Sequence, residues 1–223
     1  MKISKPTVSV LKNFSGINGS IMLKPGNEVC TVSPQRNIFA KFQATENFPV
    51  QVPLYDLNDM INALSLFDDP DCDFKSKHLI INNDKQKMKY VYSDEATVSE
   101  APTINPELLK NPKAKFDLDN ETLSQLIRAS SVIGGDVLSL NKKAEKFEIV
   151  SHDKSNKDSN KYEIELEKDL EFDGDFSIHL LVENIKMLPL DYAVSMYENF
   201  IRFEAEQAKI EYIIAIEDKS TWE

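Results

Sequence analysis

The sequence predicts an α+β chain of two similar domains, each with two helices packed on antiparallel sheets. Three observations carry that expectation. Segments with 3.6-residue apolar patterning recur four times, each followed by two short strand-like runs with a turn signal between them. The four segments begin at residues 6, 56, 119 and 181, spaced by 50, 63 and 62 residues, so the first two copies pair against the last two. Between the pairs, "SEAPTINPELLKNPK" at 99–113 holds Pro102, Pro106 and Pro112, which break regular structure and favour an extended connector. The domains are therefore placed at 1–98 and 115–223, with the connector over 99–114.

The first copy is a helix from Pro6 to Ile17, then "SIML", the turn "KPGN" and "VCTVS". The second is a helix from Asp56 to Phe67, then "HLIIN", "NDKQ" and "KMKYVYS". The third runs from Asp119 to Ile133, followed by "DVLSL", "NKKAE" and "KFEIV". The fourth is a helix from Leu181 to Leu188, then "YAVSMY", "EN" and "FIRFEAE", with "AKIEYIIAI" as a closing strand. Ser4 ahead of Pro6, and Asp56 and Asp119 at the next two starts, are N-cap or first-turn residues. In "KYEIELE" at 161–167, Tyr162, Ile164 and Leu166 share one face of a strand. The stretches "DDPDCD" at 68–73 and "HDKSNKDSNK" at 152–161 read as solvated loops.

Stepping about 100° per residue puts Val8, Val10, Leu11, Phe14 and Ile17 on the apolar side of the first helix. Lys5 and Lys12 fall opposite, beside Ser9, Asn13 and Gly16. The third helix sets Leu123, Leu126, Ile127 and Ile133 against Arg128, Ser124 and Ser131. The second sets Leu57, Met60, Ile61 and Leu64 against Asn58, Asn62 and Ser65, and the fourth turns Lys186 away from Leu181, Ile185 and Leu188. Asp59, Glu121 and Glu183 lie on or beside these polar faces, so the basic excess is thin. Four outward faces that are small, polar or basic stand out in a chain whose 37 Asp and Glu against 26 Lys and Arg give a net charge of -11. Overall acidity argues against non-specific nucleic-acid binding, but the distribution of charge argues for an anionic partner at the helices.

Several function classes are disfavoured. The longest apolar runs, such as "YIIAI", fall far below the roughly 20 residues of a membrane span, and "MKISKPT" has no signal-peptide h-region, so a soluble cytoplasmic protein is expected. Cys30 and Cys72 are too few for a disulfide framework or a Cys-based zinc site. No Gly-rich phosphate loop, HExxH spacing or nucleophile elbow occurs, and His78, His152 and His179 are scattered. A calcium-loop reading from Asp69 fails at Phe74, where glycine is needed, and at Ile80, where glutamate is needed. No enzymatic activity, metal or cofactor is expected.

"MKISKPTVSVLKNFSGINGSIMLKPG", the "YDLND" opening of the second helix and "IKMLP" in the fourth resemble the sliding clamps, or DNA polymerase processivity factors, of T-even-type bacteriophages. The resemblance implies a DNA clamp fold and a homotrimeric ring encircling duplex DNA, with helices lining the hole. It also implies loading by an ATP-driven clamp loader, tethering of the replicative DNA polymerase, and support of phage late transcription in the host-cell cytoplasm. Twelve helices about 10 Å apart enclose roughly 28 Å of clear space, enough for a hydrated duplex, whereas eight leave only about 15 Å. Lys5, Lys12, Arg128 and Lys186 match the lining positions, with Asn58, Asn62, Ser124 and Ser131 as neutral neighbours. Relatives carry a second basic residue where this chain has Ser131. Subunits are expected to join along strand edges, with Lys87, Lys89, Tyr90 and Tyr92 meeting Tyr162, Glu163, Ile164, Glu165 and Glu167 of a neighbour. A partner-peptide pocket is expected at Val98, Ile104 and Leu108 of the connector and Ile214, Ile216 and Trp222 of the terminal segment, with Trp222 in a mobile tail. The alternative is a non-enzymatic β-rich virion or scaffold protein.

Overall fold

Ser4 holds an extended backbone and its Oγ accepts the Thr7 N–H at 3.4 Å, which starts the first helix where the cap signal places it. The computed structural model describes residues 1–156, 158–166, 170, 172 and 174–223 and falls into two units, 1–103 and 104–223. Unit 1 runs α1 (Lys5–Ile17), β1 (Ile21–Leu23), β2 (Gly26–Val32), β3 (Ile38–Phe48), β4 (Val52–Leu54), α2 (Leu57–Ser65), β5 (Asp71–Phe74), β6 (His78–Asn82) and β7 (Lys87–Val91). Unit 2 runs β8 (Ala114–Leu118), α3 (Asn120–Ile133), β9 (Val137–Lys143), β10 (Lys146–His152), β11 (Tyr162–Glu165), β12 (Phe176–Leu181), β13 (Tyr192–Met196), β14 (Phe200–Ala205), β15 (Ile210–Ala215) and β16 (Thr221–Trp222).

In unit 1, α1 buries Thr7, Val10, Leu11, Phe14 and Ile17, and α2 buries Leu57, Met60, Ala63 and Leu64; the two helices pack together. The first copy is not a hairpin. β1 pairs instead with β4, and all six residues are buried, while β2 pairs with the long strand β3. Gly26, at φ +116°, opens β2 on a backbone that a side chain disfavours, which separates β2 from β1. Residues 71–73, the end of the stretch 68–73 read as solvated loop, lie with Phe74 in strand β5, in the order β5-β6-β7. Cys72 and Phe74 point inward while Asp71 and Asp73 face out, a two-residue alternation masked by the density of acids.

In unit 2 the order β11-β10-β9-β12-β16 makes one sheet, against which α3 packs through β10 and β11, and β15-β14-β13-β8 follow one another in another. Phe147 joins Phe116 and Phe176 edge-on in the core, with centroids 5.0 and 5.9 Å away. α3 buries Leu123, Leu126 and Ser130, while Ile127 and Ile133 are only half-buried. Gly134, at φ 70°, takes the left-handed position that closes the helix.

The expected fourth helix does not form. Leu181 ends β12 and only Val182–Asn184 make a 3-10 turn, with no side-chain cap. Tyr212 takes a backbone donor that a helix would have used, since the Leu188 N–H donates to Tyr212 Oη at 3.3 Å, and Tyr192 Oη donates to the Leu188 carbonyl at 2.6 Å. Pro189 further disfavours helical geometry at Leu188. Ile185 and Met187 are buried and Lys186 is exposed, so the apolar residues serve an extended segment of period two. The α+β plan holds, with one α-helix among the described residues of unit 2.

Candidate nucleic-acid interface and strand edges

Lys5 and Lys12 are exposed on α1, and Asn58, Asn62 and Ser65 are exposed on the neighbouring α2. Arg128 and Ser131 are exposed on α3, where the half-buried Ser124 bonds Asn120 Oδ1 at 3.2 Å. Lys186 is exposed on the extended segment that replaces the fourth helix, so it lies on no helix face. Among the described residues Lys5, Lys12 and Arg128 have no carboxylate partner. Elsewhere Lys2 pairs with Asp69, Lys24 with Glu100, Lys75 with Asp73, Lys113 with Glu198 and Lys154 with Glu217.

β7 and β11 are both end strands of their sheets. Lys87 and Lys89 share the exposed face of β7, and Met88 and Tyr90 the half-buried one. Glu163 and Glu165 are exposed on β11 and Tyr162 and Ile164 half-buried; Glu165 also lies 3.9 Å from Lys146. Burial first, then Asp59 and Asp56, hold the Tyr90 hydroxyl above its ordinary pKa. Tyr92 falls beyond the end of β7 and is buried at 9% exposure, so its ring belongs to the core rather than to an edge. Glu167 lies outside the described residues.

The expected pocket residues have different surroundings. Ile214 is completely buried and Val98 nearly so, because each fills its own unit's core. Leu108 is 59% exposed on the 3-10 turn Pro106–Leu109, and Ile104 and Ile216 are half-buried. Trp222 is not in a loose tail. It pairs with Phe176 through β16, and its ring lies 5.4 Å from Phe172 and 5.2 Å from Phe176. The histidines are likewise less scattered than their spacing suggests, since Ser139 Oγ lies 2.7 Å from both His152 Nε2 and His179 Nδ1. Only the register of β9 with β10 and β12 brings these three together, so no local motif marks them.

Two family models divide the chain between them. The DNA polymerase processivity factor model matches residues 2–99 and the gp45 sliding clamp, C-terminal model matches residues 115–218. The chain belongs to the sliding-clamp family. The sliding clamp of Vibrio phage KVP40 is 29% identical over 97% of this chain and 99% of its own. That of Enterobacteria phage T4 is 29% identical over 99% of both chains. Among solved structures, the proliferating cellular nuclear antigen of Entamoeba histolytica shares the fold at a TM-score of 0.68 and 14% identity, with 97% of both chains covered. The A. fulgidus PCNA solved with the C-terminal region of FEN-1 does so at 0.69 and 15%, covering 96% of both. This clamp is therefore a DNA polymerase processivity factor, and the virion-scaffold alternative loses its ground. No helix among the described residues is long and apolar enough to cross a membrane.

Proposed function

We propose that this clamp encircles duplex DNA as a homotrimeric ring, with Lys5, Lys12, Arg128 and Lys186 facing the phosphates and Asn58, Asn62, Ser124 and Ser131 between them. The observation that carries the reading is the set of uncompensated cations, Lys5, Lys12 and Arg128, on the exposed sides of α1 and α3. Cations without base-reading partners give a weak, sequence-independent hold, so closure of the ring, rather than affinity, keeps the clamp on DNA and lets it slide. The extended segment bearing Lys186 takes a place in the lining that a fourth helix would have filled.

Subunits join where β7 of one chain lies beside β11 of the next. Lys87 and Lys89 meet Glu163 and Glu165, while Met88 and Tyr90 meet Tyr162 and Ile164. The ion pairs set register and the apolar pairs supply most of the adhesion, since exposed pairs are worth under about 1 kcal/mol. The clamp is a non-catalytic tether that works in the host-cell cytoplasm. An ATP-driven loader opens it, and the replicative polymerase and late transcription factors dock on it, with Leu108, Ile104 and Ile216 as the accessible apolar contacts.

Light scattering across a dilution series tests the ring. A mass near three times 25.4 kDa that falls on dilution is the expected result, and a monomer at every concentration overturns it. Retention on nicked circular DNA with loss on linear DNA separates encirclement from ordinary binding. Replacing Lys12 and Arg128 by serine should leave the mass unchanged and make the slope of log affinity against log salt shallower by about 0.9 for each phosphate left without its cation.

A further inference from the structure

The outward sides of α1 and α3 match position by position. On α1 the exposed residues at spacings of four, three and four are Lys5, Ser9, Lys12 and Gly16; on α3 they are Glu121, Gln125, Arg128 and Val132. At about 100° per residue each set is one stripe roughly 60° wide, opposite buried positions that agree in phase. The stripes agree in their middle, where serine matches glutamine and lysine matches arginine. They differ at both ends. Where α1 has Lys5, α3 has Glu121, so the first stripe carries two positive charges and the second none net. Where α1 has Gly16, with nothing within 4 Å of the place a Cβ would take, α3 has Val132, which is 80% exposed.

Glu121 is not needed to start α3. Asp119 Oδ1 accepts the Thr122 N–H at 2.8 Å, Asp191 Oδ1 accepts the Asn120 N–H at 2.7 Å, and α1 forms with no acid in its first turn. Among the described residues Glu121 meets Gln125, whose Nε2 donates to its Oε1 at 3.3 Å, and forms no ion pair. Seven residues of helix set Glu121 about 10 Å from Arg128, a full Debye length near 0.1 M salt, so neither charge cancels the other locally. A phosphate strand lying along this stripe is attracted at Arg128 and repelled at Glu121. At the far end the branched Val132 side chain offers phosphate no hydrogen bond and holds the strand off the helix.

We propose, resting on the reading that both faces look onto DNA, that α1 carries the duplex and α3 holds it off, with Glu121 and Val132 keeping unit 2 from gripping phosphate. The two helices then have different tasks on the same scaffold. α1 supplies attraction through Lys5 and Lys12, while α3 keeps one cation for contact and one carboxylate against it. Fewer simultaneous phosphate contacts mean fewer counterions exchanged at each step along the duplex, which favours sliding once closure of the ring prevents escape.

The test measures the affinity of the full-length clamp for a short fluorescent duplex between about 50 and 200 mM salt. Lys12→Ser should weaken binding more than Arg128→Ser does. Glu121→Gln, which keeps the shape of the side chain, should tighten binding, most at the lower salt, with the gap closing as the Debye length shrinks. Glu121→Lys with Val132→Ala should steepen the salt slope by about 0.9 for each phosphate gained, so that affinity falls about 3.5-fold further across that range. On that background Arg128→Ser should cost as much as Lys12→Ser. These are gains of binding, which a damaged helix would not produce. If Lys12→Ser weakens binding while Glu121→Gln and the paired variant bind like the unaltered clamp, the division between the helices is overturned and the encircling reading stands. Equal losses from Lys12→Ser and Arg128→Ser in the unaltered clamp overturn it as well. If Lys12→Ser has no effect, the assignment of these faces to DNA falls, and the division of tasks falls with it.

Discussion

α1 seats Thr7, Val10 and Phe14 in the core of unit 1 with the same spacing, three residues then four, by which α3 seats Leu123, Leu126 and Ser130 in unit 2. In that phase Lys12 and Arg128 occupy the same outward place, two residues after the middle buried position. The inward place differs, since unit 1 buries a phenylalanine where unit 2 buries a serine. Ser130 Oγ donates to the Leu126 carbonyl and meets Ser151 Oγ, each at 2.7 Å. Unit 1 covers its core further with α2, whereas unit 2 lays Ile185 and Met187 over Leu123 and Leu126 and leaves a small apolar cavity of about 20 Å³. The outward, cation-bearing face is thus kept in both units, while the means of holding each helix in place has diverged.

On that contrast, the same kind of truncation should act through different physics in the two helices. Phe14→Ala should cost about 3–5 kcal/mol, because a fully buried ring leaves a void that β3 and α2 cannot collapse into. Urea denaturation with a probe in unit 1 measures it. Ser130→Ala should cost less, about 1–3 kcal/mol, because it removes almost no volume and the penalty is the orphaned hydroxyl of Ser151, which is completely buried. Replacing Ser151 by alanine as well should recover part of that loss, a result that a packing defect would not give.

What could be read from the residues tracks how local the cause is. Ser4, Asp56 and Asp119 each accept an N–H from the first turn of a helix, and the caps and apolar phase of α1, α2 and α3 were visible because they act within one or two turns. The segment 181–188 has the same apolar spacing as a helix, yet the hydroxyls of Tyr192 and Tyr212 claim its backbone, and those partners come from strands later in the chain. β5 was hidden by its aspartates. The exposed Lys5, Lys12 and Arg128 could be placed on their faces from sequence alone, while Tyr92, Val98 and Ile214 could not be told from surface residues until the sheets were closed. The Ser139, His152 and His179 cluster depends wholly on register, which no single stretch encodes.

The smallest expected effect lies at the helix starts. In unit 1 the Glu46 carboxylate, on β3, accepts the Thr7 hydroxyl at 2.6 Å and the Ser4 N–H, tying the α1 cap to the sheet. In unit 2 the corresponding start is held by Asp191, whose Oδ1 accepts the Asn120 N–H at 2.7 Å. Burial alone would raise the Glu46 pKa, but the hydrogen bonds from Thr7 and Ser4 outweigh it and hold the group at about 2. A depressed carboxylate stabilises the fold above its unfolded value of about 4.3, and that contribution disappears as pH falls through the folded value. Because the side chain is only partly buried, solvent screening leaves about 1 kcal/mol of the effect. Glu46→Gln should therefore destabilise unit 1 by about that amount at neutral pH, and the gap from the unaltered clamp should close as the solution approaches pH 2. Urea midpoints at pH 7, 5 and 3 measure the closing. A gap of constant size would mean that the residue acts through its shape and neutral hydrogen bonds, and the charge at the α1 cap would then have no part in holding the lysine-bearing helix in place.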